Sequence, residues 1–262
     1  MFSDHLSEEI IRDSLSTALL GCRVAYFRTA TSTMDEARKA ALESAPEGTL
    51  VLAEEQTGGK GRFQRRWVSP PGVNLYLSLI LRPQPSALFQ LGMVASLALA
   101  RGLHRLAPGS LHPTIKWPND VRLGGKKVGG ILIDSSLEVD GGGFSIVGVG
   151  VNVNLDPGEY PDIRDIATSV RQELGHPISR LRLLGMLLEE MEQLYIRIQG
   201  GDSVRGEWSA LLDTLGRQVR VAVGGQVYEG YAQDVDEEGS LILLRPDGSL
   251  WSLAAGEVTL QV

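Results

Sequence analysis

A glycine-rich basic loop is the segment of this 262-residue chain best suited to bind an anion. It covers residues 56–67 and contains four cations, Lys60, Arg62, Arg65 and Arg66, beside three glycines. Glycines let a backbone approach a ligand closely, and N–H groups in such turns form concave anion sites that Lys and Arg reinforce. The loop matches neither the GxGxxG nor the GxxxxGK[ST] pattern. By themselves the residues leave two interpretations open, an anion site and a mobile surface loop solvated by its own charges.

A second cluster begins with the segment KWPND at residues 116–120 and continues to Lys127 and a pair of glycines. A Trp-Pro pair is expected to end a strand, and a hairpin then brings Lys127 back beside the KWPND segment. Lysine can neutralise a phosphate or carboxylate, and Asp120 can orient an incoming amine or take its proton. Lys126 is interpreted as an ordinary surface lysine. Lys127, directly before an apolar strand, is interpreted as functional.

A third segment, GVGVNVN at residues 148–154, carries glycines inside a predicted strand. Such glycines often mark the close approach of a ligand or of another part of the backbone. Strict alternation would place Asn152 and Asn154 on one face, so at least one amide is expected to read a polar ligand edge. Close packing of a helix on the strand explains the glycines equally well.

Charge is distributed unevenly along the chain. The whole sequence has 25 Lys and Arg against 32 Asp and Glu, a net charge of −7, yet residues 56–119 contain no acidic residue. The overall charge argues against a generic nucleic-acid or membrane-surface protein, whereas the acid-free window favours a small anion such as a nucleotide. The single cysteine, Cys22, excludes an internal disulfide. An acidic amino-terminal segment and charges within the most apolar stretch, residues 88–106, predict a cytoplasmic protein without a membrane span.

Hydrophobic periodicity predicts a mixture of helices and strands over residues 1–215 and a small β-barrel over residues 216–262. Helices are predicted at residues 7–21, 33–42, 86–106, 179–199 and 203–215, and strands at 24–27, 50–53, 75–81, 114–117, 127–134 and 144–153. A glycine turn is predicted at residues 141–143. The carboxyl-terminal part is predicted to hold five short strands, at 219–223, 227–232, 241–244, 250–253 and 258–262.

Taken together, these segments resemble the biotin protein ligase family (biotin–[acetyl-CoA-carboxylase] ligase). The resemblance spans essentially the whole chain and is carried, in order, by residues 31–33, 56–67, 74–78, 116–120, 127–131 and 148–152. KWPND joined to a GxGR loop and a downstream GVNVN is a highly specific combination. The resemblance implies an α/β (α+β) catalytic domain over residues 1–215, related to class II aminoacyl-tRNA synthetases and called the biotin synthetase-like fold, followed by an SH3-like β-barrel over residues 216–262.

The same resemblance implies two successive group transfers, first of the adenylyl group to biotin with release of pyrophosphate, and then of the biotinyl group to a lysine with release of AMP. Biotin attacks the α-phosphate of Mg-ATP to form biotinyl-5′-AMP, and a specific lysine of a biotin carboxyl carrier protein or domain, in acetyl-CoA carboxylase or a related carboxylase, then takes the biotinyl group. Fixed cations in a pocket with little water suit both steps. Mg²⁺ enters with ATP, and the sequence does not identify its ligands. No nucleic acid or membrane partner is expected, and the oligomeric state stays open, with a homodimer as one option.

Residue roles follow from matching each position to the family motifs. The residues matched to biotin binding are Ser32, Thr33, Gln56, Lys60, Gly61, Arg62 and Lys127. Those matched to ATP or adenylate binding are Gly59, Trp67, Lys116, Asn119, Gly130 and Asn152. The catalytic set is Arg62, Lys127 and Asp120, with Asp120 facing the acceptor amine.

Three departures from the family pattern bear on the strength of biotin retention. Lys60 stands where the familiar GRGR loop has arginine, and this exchange loses bidentate geometry. Phe63 and Gln64 replace a more basic, glycine-containing stretch, and Met34 stands where some members of the family have Asn. Only one short helix is predicted before the catalytic domain, so neither a DNA-binding domain nor repressor activity is expected.

Two alternative functions remain. One is a ligase for lipoate or octanoate, and the other is a non-catalytic biotin- or nucleotide-binding protein.

Overall fold

The structure, a computed structural model, describes residues 4–137 and 143–260. Its helices are α1 (Glu8–Ser14), α2 (Thr33–Leu42), α3 (Leu91–Leu106), α4 (Val170–Leu174), α5 (Arg180–Gln199) and α6 (Arg205–Ser209). Its strands are β1 (Val24–Ala30), β2 (Leu50–Gln56), β3 (Leu75–Leu81), β4 (Thr114–Lys116), β5 (Asp120–Leu123), β6 (Lys126–Leu137), β7 (Gly143–Val151), β8 (Gln218–Val223), β9 (Gln226–Val235), β10 (Leu241–Leu244), β11 (Leu250–Leu253) and β12 (Glu257–Leu260).

Seven strands form the larger sheet, in the order β1-β2-β3-β7-β6-β5-β4. Strands β1 and β2 are parallel and every other neighbouring pair is antiparallel. All of β3 is buried, because its alternate side chains point to opposite faces and each face is covered. The leucines of β3 join the main core with α3 and α5, whereas Ile80 packs with α2 on the other face. This mixed sheet with helices on both faces confirms the predicted α/β (α+β) class.

Helix α3 is the central core helix, with eleven of its sixteen residues buried. The helical stretch Pro85–Leu106 is long and apolar enough to cross a membrane, and 67% of its most apolar window is buried inside the protein. That burial is expected of the core helix of a globular protein. The predicted first turn of this helix is a separate 3₁₀ turn at Pro85–Gln90.

Two predicted helices are shorter than expected, and in both cases tertiary contacts end them. Helix α1 stops at Ser14 because the following chain turns so that three backbone N–H groups, at residues 18–20, donate to the carboxylate of Glu192. Helix α6 stops at Ser209 because the next residues pair with β4 through backbone hydrogen bonds to Ile115. Strand β5 and helix α4 were not predicted. The predicted turn at 141–143 and the predicted end of the last strand fall mainly outside the described residues.

Five antiparallel strands form the second sheet, in the order β11-β10-β9-β8-β12, and confirm the predicted all-β character of this part. Trp117, which is 2% exposed, joins it to the larger sheet, since its indole Nε1 donates to the carbonyl of Gly239 at 2.9 Å. Its backbone N–H donates to Thr214 Oγ1 at 3.0 Å. The KWPND segment therefore lies where the two sheets meet. The domain boundary after residue 215 stays a prediction.

A buried ion pair network fixes the start of α5. The Arg180 side chain is 2% exposed and bonds to the carboxylates of Asp4 and Glu54, each at 2.7 Å, and to the carbonyl of Asn74. Glu54 also accepts a hydrogen bond from Tyr26, and burial together with this contact raises the pKa of that phenol. The network connects the first described residues with β1, β2 and α5.

Replacing Arg180 with methionine is expected to lower the free energy of unfolding by about 3–5 kcal/mol, because two carboxylates that are only 11% and 14% exposed lose their partner. Urea unfolding followed by circular dichroism measures this change. The matched control is Arg12→Ala, which removes an exposed pair with Asp13 and is expected to cost less than about 1 kcal/mol. Similar losses in the two variants would contradict the importance of burial.

Candidate active site

A cavity of about 420 Å³ lies between the larger sheet, the glycine-rich loop and β12, and its lining extends from the central strands β3 and β7 to the edge strand β4. Its walls include all but one of the residues predicted for the site: Ser32, Thr33, Gln56, Lys60, Gly61, Arg62, Trp67, Lys116, Asn119, Asp120, Lys127, Gly130 and Asn152. The exception is Gly59, which lies behind the wall. Segments that are far apart in sequence are thus brought to one site by the sheet order.

Hydroxyl and amide groups line one end of the cavity. Ser32 begins α2 as its N-cap, with its Oγ accepting from the backbone N–H of Met34 at 3.2 Å. The backbone N–H of Thr33 donates to Gln56 Oε1 at 2.8 Å, and Ser78 Oγ donates to Thr33 Oγ1 at 2.9 Å. These bonds tie α2, β2 and β3 together around a polar end that is suited to a neutral head group such as an amide or urea.

The glycine-rich loop is a compact hairpin. The Gly61 N–H donates to the carbonyl of Arg65 at 2.7 Å, and the Trp67 N–H donates to the carbonyl of Gly59 at 2.9 Å. A Cβ atom on Gly59 would lie 2.8 Å from the Trp67 carbonyl oxygen, so this glycine serves the fold of the hairpin. Lys60 pairs with Asp35 in the first turn of α2, at 3.0 Å, which fastens the loop to that helix.

Arg62 is a partly buried cation that contacts an amide oxygen and an aromatic ring. Its Nη1 donates to Asn119 Oδ1 at 3.3 Å, and its guanidinium lies 4.9 Å from the ring centre of Phe63. Within the described residues no carboxylate lies within 4 Å of it. Burial lowers the pKa of the Arg62 guanidinium, and the field of Asp120 partly opposes that effect. A bound anion would compensate this desolvated charge.

Lys127 faces the same space from the start of β6. Its Nζ lies 2.5 Å from Asp120 Oδ1 and 5.2 Å from the ring centre of Trp67. The hairpin predicted from the KWPND segment therefore exists, although it contains an additional strand, β5. A lysine paired with an aspartate in this way can exchange its partner for an anionic ligand and release the carboxylate.

Two glycines make room for Trp67. Gly130 and Gly150 face each other across β6 and β7, and Cβ atoms at these positions would lie 3.2 and 2.6 Å from the indole ring. Trp67 is therefore a flat wall of the cavity that rests on the sheet. Its Nε1 is buried and has no hydrogen-bond partner in the described parts of the chain. A ligand acceptor would satisfy this N–H group.

Strict alternation along the GVGVNVN segment predicted one shared face for its two asparagines, and this prediction is wrong. Strand β7 ends at Val151, so Asn152 and Asn154 do not share a strand face. Asn152 lines the cavity, but its Nδ2 already donates to the carbonyl of Thr168 at 3.1 Å. Asn154 bonds in both directions to the backbone of Ile178 and does not line the cavity. Asn154 is therefore structural.

Sequence reasoning missed Arg122 and Glu257, and it named Arg65 only as a cation of the glycine-rich loop. Arg122, Arg65 and Glu257 line the cavity, and Arg65 makes a two-pronged ion pair with Glu257 of β12 at 2.6 and 2.5 Å. Arg65 holds the pKa of the Glu257 carboxyl below its usual range. Alternation along β5 would have placed Arg122 on the face of Asp120 if that strand had been recognised. No local pattern marks Glu257.

Over residues 4–137 and 143–260, no group of three or more His, Cys, Asp or Glu side chains is arranged to hold a metal ion.

The charge of the cavity is strongly positive. Seven cations line it, namely Lys60, Arg62, Arg65, Arg66, Lys116, Arg122 and Lys127, against the two carboxylates of Asp120 and Glu257.

Comparison with known protein families gives two matches. Residues 24–154 match the model of the Biotin/lipoate A/B protein ligase family, and residues 214–260 match the Biotin protein ligase C terminal domain. The first match contains every segment that forms the cavity except two. These are the loop that follows β7 and the strand β12. The second contains β12 and therefore Glu257.

Individual relatives agree with the family matches. The chain is 36% identical to the Bifunctional ligase/repressor BirA of Bacillus subtilis, over 93% of this chain and 76% of the relative. It is 36% identical to the Biotin--[acetyl-CoA-carboxylase] ligase of Paracoccus denitrificans, over 82% of this chain and 92% of the relative. The fold is similar to the biotin protein ligase of Aquifex aeolicus solved with biotin and ATP, with a TM-score of 0.77, 27% identity and coverage of 92% and 99%. The chain belongs to the Biotin/lipoate A/B protein ligase family, as one of its biotin protein ligases.

Proposed function

We propose that this biotin protein ligase activates biotin with Mg-ATP to biotinyl-5′-AMP and then transfers the biotinyl group to a lysine of a biotin carboxyl carrier domain. The observation that carries the proposal is that one cavity brings three kinds of group together. The polar residues Thr33 and Gln56, the cations Arg62 and Lys127, and the flat ring of Trp67 all line it. The structural neighbour from Aquifex aeolicus binds biotin and ATP, and the relative from Paracoccus denitrificans is named for acetyl-CoA carboxylase, which supports both substrates.

In the first step the residues at the polar end bind the ureido ring of biotin. Arg62 and Lys127 then lie beside the biotin carboxylate and the α-phosphate, where two negative groups must approach each other. Fixed cations lower this repulsion because they are already oriented before the reaction. A carboxylate oxygen of biotin attacks the α-phosphorus, and pyrophosphate leaves. Mg²⁺ enters with ATP as part of the substrate.

In the second step the ion pair between Lys127 and Asp120 rearranges. When Lys127 contacts the phosphate of the adenylate, the Asp120 carboxylate becomes free to accept a proton from the incoming lysine ammonium. The neutral amine attacks the acyl carbon, the bond from that carbon to the phosphate oxygen breaks, and AMP leaves with the electron pair, while the nitrogen releases its second proton to solvent. The glycine-rich loop covers the mixed anhydride and limits its hydrolysis by water.

The experiment that tests the proposal has two readouts. Biotin-dependent exchange between ATP and labelled pyrophosphate reports the first step, and mass spectrometry of a carrier domain incubated with biotin and ATP reports one added biotinyl group. Lipoate and octanoate are tested in parallel, because only the true substrate supports exchange. Folded protein that binds biotin but shows neither reaction would be a non-catalytic binding protein, and the proposal would be wrong.

Replacing Lys127 or Arg62 with alanine is expected to lower the rate of pyrophosphate exchange by about 100- to 1000-fold, since each change removes a cation from the developing charge. The control is Lys126→Ala, an exposed neighbour on the same hairpin that does not line the cavity. Lys126→Ala should keep the original rate. A rate for Lys127→Ala equal to that control would remove the assigned role.

Gly150→Ala is expected to reduce kcat/KM for ATP by about 100-fold, because the new Cβ displaces the Trp67 ring that forms the wall. Binding of biotin, measured by calorimetry, should change little. Gly185→Ala in α5 is the matched control, since a Cβ there contacts nothing within 4 Å. If Gly150→Ala keeps its affinity for ATP, Trp67 does not form the nucleotide wall.

Activity should also depend on the protonation of Lys116. Burial lowers the pKa of its ammonium below the ordinary value, and the neighbouring Arg122 adds to that effect, while Asp120, Glu257 and Asp213 oppose it. The cation is therefore lost as pH rises through this lowered pKa, so kcat/KM for ATP should fall at a lower pH than an ordinary lysine would cause. Lys116→Arg should move this alkaline decline to higher pH. An unchanged pH profile in Lys116→Arg would contradict the assignment, and Lys126→Arg serves as the control.

A further inference from the structure

We propose that Arg122 is a further substrate-contacting residue, which together with Lys116 binds the β- and γ-phosphates of ATP and the pyrophosphate that leaves. Asp213 is its positioning residue. This inference rests on the proposed adenylation step. It assigns protein ligands to the β- and γ-phosphates of ATP, for which the mechanism described above names none.

The strand register places Arg122 on the reactive face of the edge hairpin. Arg122 follows Asp120 by two residues on β5, so both side chains point to the same face. Across the hairpin Lys116 pairs with Asp120 and Thr114 pairs with Arg122, which makes Lys116 and Arg122 diagonal neighbours within reach of long side chains. All three charged residues line the cavity.

Asp213 orients the guanidinium of Arg122. Its Oδ2 accepts from Arg122 Nη1 at 3.0 Å and from Thr114 Oγ1 at 3.1 Å, and its backbone N–H is fixed by the carbonyl of Ile115 at 3.0 Å. The Arg122 and Asp213 side chains are only 22% and 13% exposed. Apart from this bond, the described residues supply no hydrogen-bond partner for the remaining N–H groups of Arg122. These donors are available to phosphate oxygens, which match the fork geometry of a guanidinium.

The charge of this region calls for an anion with several negative charges. Lys116 is a half-buried cation, and no carboxylate lies within 4 Å of its Nζ among residues 4–137 and 143–260. It lies next to a second cation, Arg122, whose one ion-pair partner in the described part of the chain is Asp213. Arg62 and Lys127 are assigned to the α-phosphate, so Lys116 and Arg122 remain for the phosphates beyond it.

The contribution to the reaction follows from the bond that breaks. As the biotin carboxylate oxygen bonds to the α-phosphorus, the bond from that phosphorus to the bridging oxygen breaks, and the electron pair stays on the pyrophosphate oxygen. Arg122 and Lys116 stabilise this added negative charge without taking or giving a proton. Product pyrophosphate is held by the same two cations.

The test measures pyrophosphate and AMP separately as inhibitors of biotin transfer. In Arg122→Ala the inhibition constant for pyrophosphate and the KM for ATP should rise about 10- to 100-fold, because charge-assisted hydrogen bonds are lost. Inhibition by AMP, which lacks the outer phosphates, and the affinity for biotin should stay unchanged. Asp213→Asn should shift the same two constants in the same direction by a smaller factor, since it loosens the orientation of Arg122 but keeps the guanidinium.

Controls separate this role from a structural one. Lys126→Ala should leave all four constants unchanged, and thermal unfolding shows which variants remain folded. Arg122→Lys, which keeps the charge but not the fork, should fall between the original protein and Arg122→Ala, and it replaces the alanine variant if that variant is unfolded. Equal weakening of AMP and pyrophosphate, or unchanged inhibition by pyrophosphate, would overturn the inference.

A direct measurement keeps the inference distinct from the proposed function. Calorimetric titration of the protein with inorganic pyrophosphate should show binding in the original protein. The affinity of Arg122→Ala for pyrophosphate should be about 10- to 100-fold lower. If the original protein shows no biotin-dependent exchange, the proposed function fails even where pyrophosphate binds. If exchange occurs but binding of pyrophosphate does not depend on Arg122, only the present inference fails.

Discussion

The main physical constraint on this structure is that a cluster of cations has to be held together without enough carboxylates to neutralise it. Arg62 and Lys116 are both withdrawn from water, and burial lowers the pKa of each. Such an arrangement lowers the stability of the folded state, so favourable interactions in the surrounding fold must compensate for it. The described structure does so by placing the cations on a hairpin of the sheet edge and on a loop closed by its own backbone hydrogen bonds.

The rest of the architecture serves to keep these groups in place. Trp117 fixes the KWPND segment against the second sheet, and Asn119 bonds both to the backbone of Ile131 and to Arg62. The glycines of β6 and β7 let Trp67 rest on the strands, where any side chain would push it into the cavity. Another glycine, Gly148, makes room for Met34, whose sulfur would lie 2.4 Å from an added Cβ. The site therefore owes its shape to small residues as much as to charged ones.

Much of the fold followed from local patterns in the sequence, because β3 and α5 have strong apolar periodicity and their ends carry clear signals. The segments that carry the candidate site residues could be recognised equally well, because KWPND and the glycine-rich loop are each one continuous stretch of sequence. Errors arose where distant contacts decide the outcome. Glu192 ends α1, and the pairing of the chain after Ser209 with Ile115 ends α6. Such side-chain and backbone partners lie far away in sequence and leave no local pattern.

The contact between Arg65 and Glu257 has a consequence for how the protein is made. These residues are 192 positions apart, and ribosomes add about 5–20 residues per second, so roughly 10–40 s separate their synthesis. Once Lys127 has been added, every cation of the cavity has been translated, but β12, which supplies Glu257, one of the two carboxylates that line the cavity, has not. A nascent chain thus carries an incomplete, open basic surface, and the cavity closes only when β12 joins β8.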